Sequence, residues 1–141
     1  VSDYDMLNGR PIVYGLDGRP IRIEQVAEIP DEARQLALTK VVSDRGEVTV
    51  STVFTMWDQS IGVGAGAAVL WETKVAGGPL DDTTRAYTSG NAALAGHEQL
   101  VNQVVNGACA GCAKVLRVES QTAKHLPGTP FPAAEKPVTG G

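Results

Sequence analysis

Glu47-Val48-Thr49-Val50-Ser51-Thr52-Val53-Phe54-Thr55-Met56-Trp57 is the stretch that decides the fold. Val, Thr and Phe crowd it, and neither Gly nor Pro interrupts it, which is the composition of a pleated, half-buried strand. Alternation places Val48, Val50, Thr52, Phe54 and Met56 on one face, the expected core face, and Thr49, Ser51, Val53, Thr55 and Trp57 on the other. Ser43-Asp44-Arg45-Gly46 ahead of it is a turn signal. The residues before that turn read in two ways: as two helical turns over 31–38 that start at Pro30 or Asp31, or as a strand over 36–42. Downstream, residues 58–66 hold three glycines and read as a mobile surface loop. Residues 67–76 then form a second strand, with Val69, Trp71, Thr73 and Val75 opposing Leu70, Glu72 and Lys74. Strand-face arithmetic sets Trp57 and Trp71 together with Val53 and Val75 on the face opposite Phe54. Such a second apolar face calls for a cover, either the N-terminal arm or another subunit.

After the break at Gly77-Gly78-Pro79-Leu80-Asp81-Asp82 and a short extended piece around Arg85-Ala86-Tyr87, Thr88 or Ser89 is the expected helix N-cap. Ala92, Ala93, Leu94, His97, Leu100, Val101, Val104 and Val105 recur at helical spacing and make one apolar face. Asn106-Gly107 is the expected end of that helix. The sequence therefore predicts an α+β fold, an antiparallel β-sheet with one main amphipathic helix packed on one face and extended N- and C-terminal arms. A single domain spans 1–126, with an arm and hairpin over 1–29 and a ββα core over 47–106. In the arm, Ile12-Val13-Tyr14 and Ile21-Arg22-Ile23 flank the turn residues Asp17-Gly18, and Pro11 and Pro20 suit edge strands. Residues 108–118 extend as a short helix or strand, and the Pro/Gly-rich residues 127–141 read as a disordered or extended tail.

At 141 residues and 43% apolar content, the chain has the size and core of one domain. Twelve basic against sixteen acidic residues give a net charge of −4, so general attraction to nucleic acid or an anionic membrane is not expected. Apolar runs fall well short of the roughly 20 residues of a membrane span. The first residues lack the basic start and apolar stretch of a secretion signal, which points to the cytoplasm.

Five short blocks follow one another between residues 50 and 98: Val50-Ser51-Thr52-Val53-Phe54, Asp58-Gln59, Glu72-Thr73-Lys74-Val75-Ala76-Gly77-Gly78, Arg85-Ala86-Tyr87-Thr88 and Gly96-His97-Glu98. In this order they resemble a small family of bacteriophage and prophage proteins. The resemblance implies a phage origin, in the cytoplasm of an infected host cell or in the virion, and brings no established activity with it. The chain departs from that pattern at Gln59, where the family has His, at Lys74, where it has Met, and at Ala86, which is inserted between Arg85 and Tyr87. Any chemistry resting on the missing His is in doubt here.

His97 with Glu72 is the catalytic candidate, since a His held by a carboxylate serves as a general base near neutral pH. Glu72 and Asp58 sit at neighbouring strand ends in this reading. The same arrangement is also how a half-buried histidine satisfies its hydrogen bonds, which is its commoner role. Trp57, Trp71, Arg85 and Tyr87 are the ligand candidates, with aromatic faces to stack on a base and a guanidinium to hold a phosphate. Against this stands a plain packing or interface role for the tryptophans. Cys109 and Cys112 form a Cys-x-x-Cys, a spacing that permits redox chemistry or half of a zinc site. A Cys/Cys/His/His set with His97 and His125 is possible on paper, but the spacing between those histidines fits no standard finger, and no strand-then-helix context for thioredoxin-type redox chemistry precedes the motif. Two idle thiols are the simpler reading, and no cofactor is expected. No Gly-x-Ser-x-Gly elbow, phosphate loop or zincin motif names an enzyme class. The sequence thus favours a non-enzymatic binding or assembly protein that acts as a homo-oligomer, with a host or phage protein as a further partner. A nucleotide-like ligand binder, a virion component and a small enzyme using His97 and Glu72 are the alternatives.

Overall fold

The computed structural model describes residues 5–7, 10–59, 68–110 and 114–129. Its body is one antiparallel sheet with one long helix laid across a single face, the α+β architecture expected. A short pair, β1 (Met6–Leu7) and β2 (Arg10–Pro11), forms a separate two-stranded ribbon. The main sheet contains β3 (Gln35–Ser43), β4 (Gly46–Phe54), β5 (Trp71–Ala76), β6 (Thr84–Tyr87) and β7 (Val115–Thr122), in the order β6-β5-β4-β3-β7. α1 (Gly90–Ala110) connects β6 at one edge to β7 at the other, crossing the face on its way.

β3 and β4 form a hairpin around Asp44-Arg45, with Ser43 opposite Gly46. Of the two readings of the preceding stretch, only a short 3-10 turn at Asp31–Arg34 remains of the helix, and the strand takes over at Gln35. A run of Leu, Val and Thr beside a ready partner strand gains more from ladder pairing and burial than two isolated helical turns do. The helix begins as expected, with the Ser89 hydroxyl accepting from the Ala92 N–H at 3.1 Å. It does not stop at Asn106-Gly107 but runs on to Ala110. Ala108 and Ala110 favour helix, and a lone Gly costs only about 1 kcal/mol inside one.

Register corrects the expectation about the tryptophans. Phe54 pairs directly with Trp71, so the two share a face, and their rings lie 5.5 Å apart in a tilted contact. Trp71 is buried beneath the helix and Trp57 is 40% exposed, so no two-tryptophan surface exists. β4 ends at Phe54, and Met56 adopts φ of +70°, which turns the chain before Trp57 and breaks the alternation counted through it. The face away from α1 carries Lys40, Thr49, Ser51, Glu72, Lys74, Arg117 and Glu119 among a few half-buried apolar side chains, the usual solvated side of an antiparallel sheet.

The core lies between sheet and helix in two parts. At the N-terminal end of α1, Leu36, Phe54, Met56, Leu70, Trp71 and Ala93 pack together. Toward its C-terminal end, Val41, Val50, Val75, Leu100 and Val104 do so. Each large side chain buried here contributes about 1.5–3 kcal/mol.

The N-terminal arm does not add an edge strand to the main sheet. Instead, it caps the end of the first cluster: Val13 bridges to Trp57, and the Tyr14 N–H donates to the Met56 carbonyl at 2.8 Å. The turn over Asp17-Gly18 brings Tyr14 opposite Pro20. Residues 127–129, read from composition as the start of a tail, also belong to this cap. Pro127 is fully buried, its carbonyl accepts the Trp71 indole N–H at 3.0 Å, and the Gly128 N–H donates to the Leu16 carbonyl at 2.8 Å.

Candidate functional site

His97 sits on the buried stripe of α1, one turn after Ala93, and points into the centre of the sheet. Its Nε2 lies 2.8 Å from the Thr39 hydroxyl on β3, and its Nδ1 lies 2.8 Å from the Thr52 hydroxyl on β4. Thr52 in turn bonds Thr73 on β5 at 2.5 Å, and Thr39 bonds Ser120 on β7 at 2.9 Å. Five side chains thus form one unbroken hydrogen-bonded row across four strands and the helix. A neutral imidazole has one N–H donor and one lone pair, so one threonine accepts from it and the other donates to it. The threonine that donates to the ring must then accept from its other neighbour in the row, whichever tautomer is taken.

Burial pushes the His97 pKa below its ordinary value, and the nearby Glu98 carboxylate opposes that shift only in part. The imidazole is therefore held neutral, with both nitrogens already engaged. Its expected carboxylate partners are elsewhere. Glu72 pairs with Val53 and faces away from the helix, so the sheet itself separates it from His97. Asp58 is spent on the arm: its buried carboxylate accepts the Val69 N–H at 3.0 Å and faces Arg10 at 3.3 Å. The pair read from the sequence as an acid–base couple is not assembled.

The ligand candidates are likewise dispersed. Trp71 and Tyr87 are register neighbours on the helix side, as are Thr73 and Arg85, while Trp57 stands apart at the bridge to Val13. Trp71 is buried in the core, in contact with Phe54 and with its indole N–H donating to the Pro127 carbonyl. The Tyr87 ring lies against Gly96, whose missing side chain makes room for it. Cys112 lies outside the described residues, and the side chain of Cys109 does too. Among the described residues, no group of three His, Cys, Asp or Glu side chains could hold a metal ion, and no helix is long and apolar enough to cross a membrane.

The open part of the molecule is on the β7 side. α1 packs over β3, β4 and β5 and leaves a cleft of about 480 Å³ beside β7, lined by Thr39, His97, Glu98, Asn102, Ser120 and Thr122 together with apolar neighbours. β7 is solvent-exposed along nearly its whole length, with Leu116 at 56% and Val118 at 46% exposure. A smaller cleft of about 190 Å³ lies toward the other end of α1, among Val41, Val48, Leu80 and Val104. Trp57, Trp71, Arg85 and Tyr87 line neither. Compared with known proteins, the chain matches no family model, no curated protein and no solved structure.

Sequence reasoning missed the hydroxyl row; it read residues 108–118 as helix or strand, and the structure has both, helix to Ala110 and then β7 from Val115 to Thr122, whose length and edge position were not read. A signal for the row existed, because Thr52 and Thr73 interrupt otherwise apolar positions on their strands and His97 interrupts the apolar stripe of the helix. Three polar groups at core positions must find one another or go unpaired.

Proposed function

We propose that this protein is a phage-encoded accessory protein that works by binding and assembly, as a homo-oligomer, and not by catalysis. The observation that carries this reading is β7: eight residues at the sheet edge with no strand on the outer side among the described residues, and with Leu116 and Val118 in solvent. An exposed edge strand is a template for further strand pairing, and β7 leaves Leu116 and Val118 in solvent beside an Arg117–Glu119 pair that a partner strand of complementary charge can meet. The saturated His97, held neutral by burial and separated from Glu72 by the sheet, speaks against the enzyme reading. The resemblance of the five sequence blocks supports the phage origin, hence action in the infected cell with a host or phage protein as further partner. A virion subunit is the neighbouring possibility, since assembly through sheet edges suits both.

Light scattering coupled to size-exclusion chromatography tests the reading across a range of protein concentrations. A mass that is a multiple of the 14.7 kDa chain is expected; a 14.7 kDa species at every concentration overturns it. One observation favours a second reading, a small-ligand binder: the cleft beside β7 gathers Thr39, Glu98, Asn102 and Ser120 around His97. That reading predicts a retained small molecule in the native mass spectrum of protein taken from its host.

A further inference from the structure

We infer that β7 pairs with β7 of a second copy, antiparallel about a two-fold axis at Val118, so that two five-stranded sheets join into one. This rests on the assembly reading above and specifies its partner and register.

The backbone shows which groups are on offer. The Ala123 N–H donates to the Leu36 carbonyl at 2.9 Å, which makes Leu36 and Ala123 a hydrogen-bonded pair in register with Ala37 and Thr122. Hydrogen-bonded and non-hydrogen-bonded pairs alternate along an antiparallel ladder. Gln121, Glu119 and Arg117 therefore turn their backbone groups toward β3, and Thr122, Ser120 and Val118 present theirs to the free side. A two-fold at Val118 pairs Val118 with Val118 of the partner and sets Arg117 and Glu119 opposite each other; the bulge at Leu116 ends the regular ladder just beyond Arg117.

Side chains then choose among the possible registers. An axis at Glu119 sets glutamate against glutamate, and an axis at Arg117 sets arginine against arginine. Moving the axis to Ser120 leaves both charges opposite uncharged residues. Only the axis at Val118 places each Arg117 opposite a Glu119 of the other copy, at the closer, non-hydrogen-bonded positions. Arg117 and Glu119 already contact each other within one chain at 2.6 Å, so the dimer joins four charges on the open face of the sheet. On the helix side, Val118 of each copy, 46% exposed in the single chain, meets Val118 of the other and leaves solvent with it. The interface is isologous and closes at two chains.

Charge reversal tests this directly. Arg117→Glu makes β7 doubly acidic and Glu119→Arg makes it doubly basic; both side chains are more than half exposed, so the fold tolerates either. Each variant alone is expected to self-associate on the order of tenfold more weakly, from two like-charge pairs per dimer. Mixed in equal amounts they are expected to form the heterodimer, seen by its intermediate mass in native mass spectrometry. The pair within each chain is repulsive in both variants, so recovery on mixing comes only from across the interface. In a Cys109→Ser, Cys112→Ser background, Val118→Cys is expected to oxidise to a covalent dimer, because position 118 faces its own copy. A wild-type protein that is monomeric throughout overturns the assembly reading and this register together. An oligomeric wild type whose variants associate unchanged, or do not prefer each other, overturns the register alone.

Discussion

Thr52 on β4 and His97 on α1 share a 2.8 Å hydrogen bond at the centre of an otherwise apolar helix–sheet contact. Through it the helix is keyed to one position along the sheet, because sliding by a single turn leaves both partners buried and unpaired.

The first prediction concerns pH. Burial lowers the His97 pKa in the folded chain, so the unfolded chain binds the proton more readily. The stabilisation from keeping this imidazole neutral is full above the unfolded pKa of about 6.5 and is lost as pH falls toward the lower folded value. Denaturant midpoints measured between pH 8 and pH 5 are expected to fall below about pH 6.5, and His97→Gln is expected to flatten that part of the profile.

Thr52→Val deletes the hydroxyl between His97 and Thr73 and strands His97 Nδ1 and the Thr73 hydroxyl. A loss of about 1–3 kcal/mol in unfolding free energy is expected. Thr39→Val is expected to act similarly at the other nitrogen. Since one imidazole links the two, their effects in a double-mutant cycle by urea denaturation should be non-additive by more than about 0.5 kcal/mol.

Gly128→Ala is expected to loosen the cap. Gly128 has φ of +89°, and a methyl group there would stand 2.6 Å from both Phe54 and Trp71. A destabilisation of about 1–3 kcal/mol is expected. Tryptophan fluorescence should shift to the red as Trp71 gains water, and an unchanged spectrum would remove the cap from this account.

Tyr87→Phe goes the other way. The Tyr87 hydroxyl is buried with no hydrogen-bond partner among the described residues. Deleting it removes an uncompensated desolvation cost, so thermal unfolding should show the variant at least as stable as the parent, by up to about 1–3 kcal/mol. A clear loss of stability instead would reveal a partner for this hydroxyl.

Much of the architecture was legible in the residues. β4 announces itself by a β-branched run with strict alternation, and α1 by a Ser cap and an apolar stripe, so their contact follows. The face of Trp71 was not legible, because alternation orders residues within a strand and says nothing of how two strands slide. Only the pairing of Phe54 with Trp71 fixes that. β7 was read only as one alternative, helix or strand, for a related reason: as an exposed edge strand, it carries neither the apolar run nor the clean alternation of a core strand. Among the candidate residues, His97 was found for its chemistry, yet its partners are hydroxyls from strands far apart in sequence, which no local spacing encodes.

The cap that joins Leu16 to Gly128 and Pro127 to Trp71 sets the order in which this molecule can be made. Helix and hairpin form from neighbours, but the core beside Trp71 closes only when segments more than a hundred residues apart meet, a late and slow event in a folding reaction. During synthesis the chain carries Phe54 and Trp71 uncovered until Pro127 and Gly128 have been added. The interval before closure is when chaperones, proteases and other nascent copies have access to that surface.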